Sequence, residues 1–190
     1  QVLLSIKKNV HQQQLVTEQT TADYRSEFGR ISASLQMAEN FADWCSLYRK
    51  LTAWEIELGE STDESIKEVL TYQKSEANQE FCKFVRRNYY NWINRRSDDT
   101  PVMSHTLMRT KIFPVVDENP KTTLLLIDNF RYDQWRSISS LLRGYYDVVQ
   151  DDFYCAILPT ATQYARNAIF AGLMPLAIDK LMPNKWLNDN

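Results

Sequence analysis

Along the first hundred residues the apolar positions recur every three or four residues, the period of an amphipathic helix. Residues 1–16 place Val2, Ile6 and Val10 on one stripe, with Leu3 beside it. No helix-start signal precedes Gln1, and the polar TEQTTAD stretch that follows holds no strong breaker, so the helix can run on through it. From Tyr24 a second stripe takes over: Tyr24, Phe28, Ile31, Leu35, Ala38, Ala42 and Cys45, widened by Phe41, Trp44, Leu47, Leu51, Trp54 and Leu58. Gly59 is the expected stop, because glycine accepts the left-handed conformation that closes many helices. Ser61 and Glu64 then have the spacing of a capping box. The helix they open carries Ile66, Val69, Leu70, Ala77, Phe81, Phe84, Val85 and Trp92. Two long helices joined by a short loop pack antiparallel, and with the leading helix they predict a bundle of about three helices.

After residue 100 the pattern changes. All six prolines lie there, whereas the first hundred residues hold none and only two glycines, Gly29 and Gly59. Proline breaks helix interiors, so the first part can form long helices and the second must be divided by turns. TTLLLID, residues 122–128, is a short apolar run ending in an acid and reads as a strand buried on both faces. Residues 131–143 are expected to be helical. DVVQDDFYCAIL, residues 147–158, reads as a second strand region, ended by Pro159, and TATQYARNAIFAGL as a turn feeding a helix that closes near Gly172. Strand, helix, strand, helix is the start of an α/β domain with a mainly parallel sheet. The fold class expected is therefore α plus α/β, a helical bundle followed by an incomplete α/β domain.

Composition narrows this little. The chain has 22 Lys+Arg against 24 Asp+Glu, a net charge of −2, with 44% hydrophobic and 24% charged residues. Such a near-neutral chain has no global pull toward nucleic acid or acidic membrane. No run approaches the length of a membrane-spanning helix, and no secretory signal opens the chain. Cys45, Cys82 and Cys155 are far apart and odd in number, which argues against a disulfide framework, fits a reducing cytoplasm, and reads as three small buried hydrophobes. Only two histidines are present, His11 and His105, so this chain by itself cannot complete a zinc site built on several imidazoles. KFVRRNYYNWINRR, residues 83–96, interleaves five basic residues with four aromatics, as nucleic-acid surfaces do. The pattern reads more simply as a helix with aromatics turned to the bundle and arginines to water.

Two segments carry candidate chemistry. Asp128 ends the first apolar run, where a carboxylate is costly unless a metal or a helix dipole offsets its burial. Thr162 lies at the start of a helix just after Pro159, where free N–H groups favour phosphate. A hydroxyl placed there can attack a phosphoryl group if its pKa is lowered. In open α/β sheets ligands sit at the carboxyl ends of strands, where both residues fall. Each also has a structural reading: Asp128 as N-cap of the helix near Arg131, and Thr160 or Thr162 as N-cap of the helix after Pro159.

Taken together, Asp128-Asn129-Phe130-Arg131, Pro159-Thr160-Ala161-Thr162 and Gly172-Leu173-Met174-Pro175 resemble, in order and spacing, the phosphodiesterase branch of the alkaline phosphatase superfamily. Asn129 stands where a glycine is commoner. The wording IDNFRYDQW and PTATQYARNAIFAGLMP is closer still to the PglZ domain of PorX-type response regulators, which are two-component regulators of the type IX secretion system. The resemblance implies residues 1–22 as a last receiver helix and linker, 23–116 as the helical bundle and 117–190 as the first part of the PglZ domain. It is strongest over residues 122–178 and weakest over 97–121.

It further implies Thr162 as nucleophile and zinc contact, Asp128 as first metal ligand, and the backbone N–H of Gln163 as a donor to a phosphoryl oxygen. The cofactor implied is zinc, as two ions, and the activity a zinc-dependent phosphodiesterase acting on nucleotides, oligonucleotides or cyclic nucleotides. The partners implied are a sensor histidine kinase, a sigma factor and a second copy after receiver phosphorylation. Asn129 and Arg131 are expected to shape the strand exit, and His11 and His105 to be surface or structural residues. The remaining metal ligands are expected beyond Asn190 and the phosphoacceptor before Gln1, so these residues alone are expected to be inactive. A rival expectation is a signalling module that docks a sigma factor or secretion component, with hydrolysis incidental.

Overall fold

The structure, a computed structural model, describes residues 2–59, 61–94, 96 and 98–188, with side chains from residue 14 onward. The side chains of the leading stripe Val2, Ile6 and Val10, and that of His11, lie outside the described residues. In chain order the α-helices are α1 (Val2–Met37), α2 (Phe41–Gly59), α3 (Glu64–Ile93), α4 (Phe113–Glu118), α5 (Tyr132–Leu142), α6 (Thr162–Ala171) and α7 (Pro175–Leu181). Two compact units divide the chain: Gln1–Asn94 with Asn129–Asp147, and Arg95–Asp128 with Val148–Asn190.

The first unit is the helical bundle. Here α1 packs on α2 and α3, α2 on α3, and α5 on α2. The leading helix and the stripe from Tyr24 form one helix, while the helix expected to run from Tyr24 to Leu58 is broken after Met37. Asn40 and Asp43 explain the break. The Asn40 side chain accepts the Asp43 N–H at 3.0 Å, and the Asp43 carboxylate accepts the N–H groups of Asn40 at 3.2 Å and Glu39 at 3.0 Å. This reciprocal cap satisfies donors that a helix start leaves open. At the next turn the expected Ser61/Glu64 box gives way to Asp63, whose carboxylate accepts from the N–H groups of Ser65 and Ile66, while the Ser61 hydroxyl accepts the Asp63 N–H.

The core holds Tyr24, Ile31 and Leu35 of α1, Trp44, Leu47, Leu51 and Leu58 of α2, and Ile66, Leu70, Ala77, Phe84 and Trp92 of α3. Val69, expected in the stripe, is exposed. Phe41, Trp44, Phe81, Phe84 and Trp92 form a chain of rings with centroids 5.4–6.3 Å apart. Phe84 and Trp92 are buried while Arg86 and Arg87 face water, so this part of the basic-aromatic stretch builds the bundle. One polar node crosses the core: fully buried Gln73 accepts the Tyr24 hydroxyl at 2.9 Å and donates to the Phe28 carbonyl and the Ser32 hydroxyl, each at 3.1 Å.

The second unit is built around a short 3₁₀ turn, Ser104–Thr106, against which α6 packs, with α7 on α6. Met103, Ile157, Ala168 and Ile178 are its most deeply buried apolar side chains. Residues 108–118 are helical, with a π turn (Met108–Ile112) just before Pro114, whose missing N–H interrupts the α ladder. Gly172 closes α6 with φ 65°, the left-handed stop expected there. Asn167 straps the following chain onto α6: its amide donates to the Leu187 carbonyl at 2.8 Å, and its oxygen accepts the Leu187 N–H.

The expected strands differ. Among the described residues no sheet ladder forms, and residues 122–128 and 147–158 have irregular backbone. Among the described residues the one pairing is an isolated parallel bridge, Met103 to Cys155. A strand exists only when a neighbour pairs its N–H and C=O groups, and apolar composition cannot supply that neighbour. Leu124, Leu125, Leu126 and Ile127 are exposed rather than buried on two faces. The cysteines also depart from expectation: Cys155 is buried, Cys45 half-buried and Cys82 exposed.

Candidate functional site

Asp128 occupies a turn with Asn129 and is exposed. It is not an N-cap. α5 begins four residues on, its N-cap is Arg131, and the Arg131 N–H is accepted by the Gln134 side chain at 3.0 Å. Asn129 has φ 54°, in the left-handed region. That accounts for asparagine where glycine is commoner, because asparagine tolerates this conformation better than other side chains. Beyond the turn, the Arg131 guanidinium grips the Asp133 carboxylate through two N–H donors at 2.7 and 2.9 Å. This pairing raises the Arg131 pKa and holds Asp133 below the ordinary carboxylate range.

Tyr154, which no spacing argument singled out, feels the charge of Asp128. Burial pushes its phenol up, and the negative charge of Asp128 pushes in the same direction. Nearby in the chain, Lys111 pairs with Asp152 at 2.7 Å.

Thr162 is the first residue of α6 and Gln163 the second, both half-buried. The chain reaches them through a cis Leu158–Pro159 peptide and through Ala161, the N-cap, with φ −58° and ψ 139°. Neither Thr160 nor Thr162 is the cap. Alanine is a poor N-cap because it offers no side-chain acceptor, and Ala161 makes no capping bond. The first turn of α6 thus presents N–H groups without a capping side chain, beside the Thr162 hydroxyl. That arrangement suits an anionic oxygen.

A zinc site needs three or four donors. Among the described residues no three His, Cys, Asp or Glu side chains stand together to hold a metal. Asp128 and Thr162 are oxygen donors of the right type, and the described residues do not complete the set. Both belong to the second unit. His105 is buried in the 3₁₀ turn against α6. None of the helices among the described residues is long and apolar enough to cross a membrane.

Two protein families match this chain in series. Residues 14–93 match the PorX response regulator linker domain. Residues 107–189 match the BREX system PglZ alkaline phosphatase-like domain. No curated protein matches the chain.

Proposed function

We propose, for this region of a PorX-type response regulator with a PglZ alkaline phosphatase-like domain, that the PglZ part is a phosphodiesterase with Thr162 as nucleophile. The observation that carries the reading is the placement of Thr162. It opens α6 behind an alanine cap, so its hydroxyl stands beside uncapped backbone donors, within the segment that matches an alkaline phosphatase-like domain. In the reaction the Thr162 oxygen bonds to phosphorus as the bond to one ester oxygen breaks. The hydroxyl proton ends on the departing alcohol. Water then cleaves the threonine–phosphorus ester, which still carries the second ester group, releasing the phosphomonoester and restoring the hydroxyl. The Gln163 N–H holds a non-bridging oxygen through both steps.

The proposed substrates are phosphodiesters of nucleotides, oligonucleotides or cyclic nucleotides, and the proposed cofactor is zinc, toward which Asp128 and Thr162 contribute oxygen donors. A response regulator linker implies a two-component system. The finer proposals are a sensor histidine kinase as input, a sigma factor as output, dimerisation on phosphorylation, control of type IX secretion and a cytoplasmic location.

A second reading, docking of a sigma factor or secretion component, is favoured by exposed Leu125 and Val149, at 78% and 96%. Zinc content and hydrolysis of a chromogenic phosphodiester by the intact protein separate the two. The enzyme reading expects Thr162→Ala to abolish turnover and Asp128→Asn to lower zinc content. Turnover unchanged in Thr162→Ala would remove the nucleophile assignment. Turnover lost while partner docking and secretion persist would favour the docking module.

A further inference from the structure

At the start of an anion-binding helix two needs compete. A capping side chain secures the first turn by taking the free N–H groups, the same donors that an anionic oxygen requires. α6 has Ala161 at that place and no capping bond, which leaves those donors open. The helical ladder starts from the Ala161 carbonyl, which accepts the N–H groups of Tyr164 and Ala165, each at 3.0 Å. In a helix of ten residues an uncapped first turn frays unless tertiary contacts hold it.

The support comes from another side of the turn. Asn167 is buried. Its Nδ2 donates to the Gln163 carbonyl at 2.6 Å and to the Leu187 carbonyl at 2.8 Å, and its Oδ1 accepts the Leu187 N–H at 3.3 Å. The half-buried ring of Tyr164 meets that of half-buried Trp186 edge to face, with centroids 5.6 Å apart. Trp186 is itself held, its indole N–H donating to the Asn188 side chain at 3.0 Å. Gln163, Tyr164 and Asn167 fall on one face of α6, and every residue involved belongs to the second unit. We infer that Asn167 is a positioning residue for the nucleophile. With Trp186 it braces the first turn of α6 against residues 186–188, and so holds the Thr162 hydroxyl and the Gln163 N–H in place while both stay open to substrate. The Gln163 carbonyl that Asn167 grips is one residue from Thr162, within the same helical turn. Displacements of about 1 Å at a reacting centre cost up to about 100-fold in rate. Donors aimed at transition-state charge lose more of kcat than of substrate binding when they move. The inference rests on the phosphodiesterase reading and deepens it by naming what steadies the reacting turn in place of a cap.

The test compares the intact wild-type protein with Asn167→Ala, Trp186→Ala and Trp186→Phe, the last of which keeps a ring against Tyr164. Amide hydrogen exchange is followed by mass spectrometry over residues 161–171 and 184–188, with residues 104–112 of the same unit as control. The brace predicts exchange faster by about tenfold or more over 161–171 and 184–188 in Asn167→Ala and Trp186→Ala, with 104–112 unchanged. On a chromogenic phosphodiester it predicts kcat lower by about tenfold in both, KM within about twofold, and Trp186→Phe near wild type. Unchanged exchange over 161–171, or equal acceleration over 104–112, would overturn the brace. So would accelerated exchange with unaltered kcat, or a loss confined to KM. Absence of hydrolysis in wild type would sink the phosphodiesterase reading, while exchange would still decide whether Asn167 and Trp186 hold the turn.

Discussion

Gln73 shows how much one buried polar side chain can specify. Its amide is satisfied by a hydroxyl from Tyr24, a carbonyl of Phe28 and the hydroxyl of Ser32, so it fixes the register of α3 against α1. Replacing Gln73 by Leu should leave the Tyr24 hydroxyl buried without its acceptor and cost about 1–3 kcal/mol in urea unfolding. Burial also pushes the Tyr24 phenol to about 12. The folded state then keeps a proton that the unfolded state releases near the ordinary tyrosine value. The contribution to stability is therefore complete below about pH 10 and is lost as pH rises toward 12. Tyr24→Phe should remove that alkaline decline, which a pH series of thermal melts would reveal. Stripe spacing placed Tyr24 on the buried face, but nothing local announced Gln73, since a glutamine in a helix reads as a surface residue until its partners are known.

Among the elements, short capping signals decided more than propensity did. The apolar stripe crosses residues 35–45 without a gap, so period alone joins α1 to α2. Asn40 and Asp43 split them. Asn40→Ala should cost about 1 kcal/mol, measured by denaturant unfolding, with loss of the break between α1 and α2. The same capping logic sharpens the candidate site: Asp128 and Thr162 each had a plausible role as an N-cap, and the caps observed are Arg131 and Ala161. Gly172 was legible because a left-handed closure after a helical stripe has one usual residue. At Gly172 an added Cβ meets only the His105 carbonyl, at 3.8 Å, so Gly172→Ala should fold with a loss of about 1 kcal/mol from the positive φ alone. A thermal melt tests this. The strand readings fared differently because a ladder depends on residues distant in the chain, which apolar runs such as TTLLLID do not disclose.

At the scale of the whole molecule, composition and proline placement separated a helical first part from a turn-rich second, and the two family matches fall on either side of that change. What the sequence could not disclose is that α5, inside the PglZ span, folds with the linker bundle. Helical spacing identifies a buried stripe and says nothing of which neighbour buries it. Nor could it disclose the arrangement of metal donors, since Asp128 and Thr162 stand apart in the chain and a ligand set is a matter of distances. The central claim is that Thr162 is the nucleophile of a phosphodiesterase. Its most direct measurement is acid-quenched mass spectrometry of the intact, zinc-supplemented protein during turnover of a chromogenic phosphodiester, with rates for wild type and Thr162→Ala. The account predicts an adduct on Thr162 that carries the phosphoryl group with its remaining ester, and a loss of about 10³-fold or more in the variant. Turnover in wild type with no adduct on Thr162 and an undiminished rate in Thr162→Ala would contradict it.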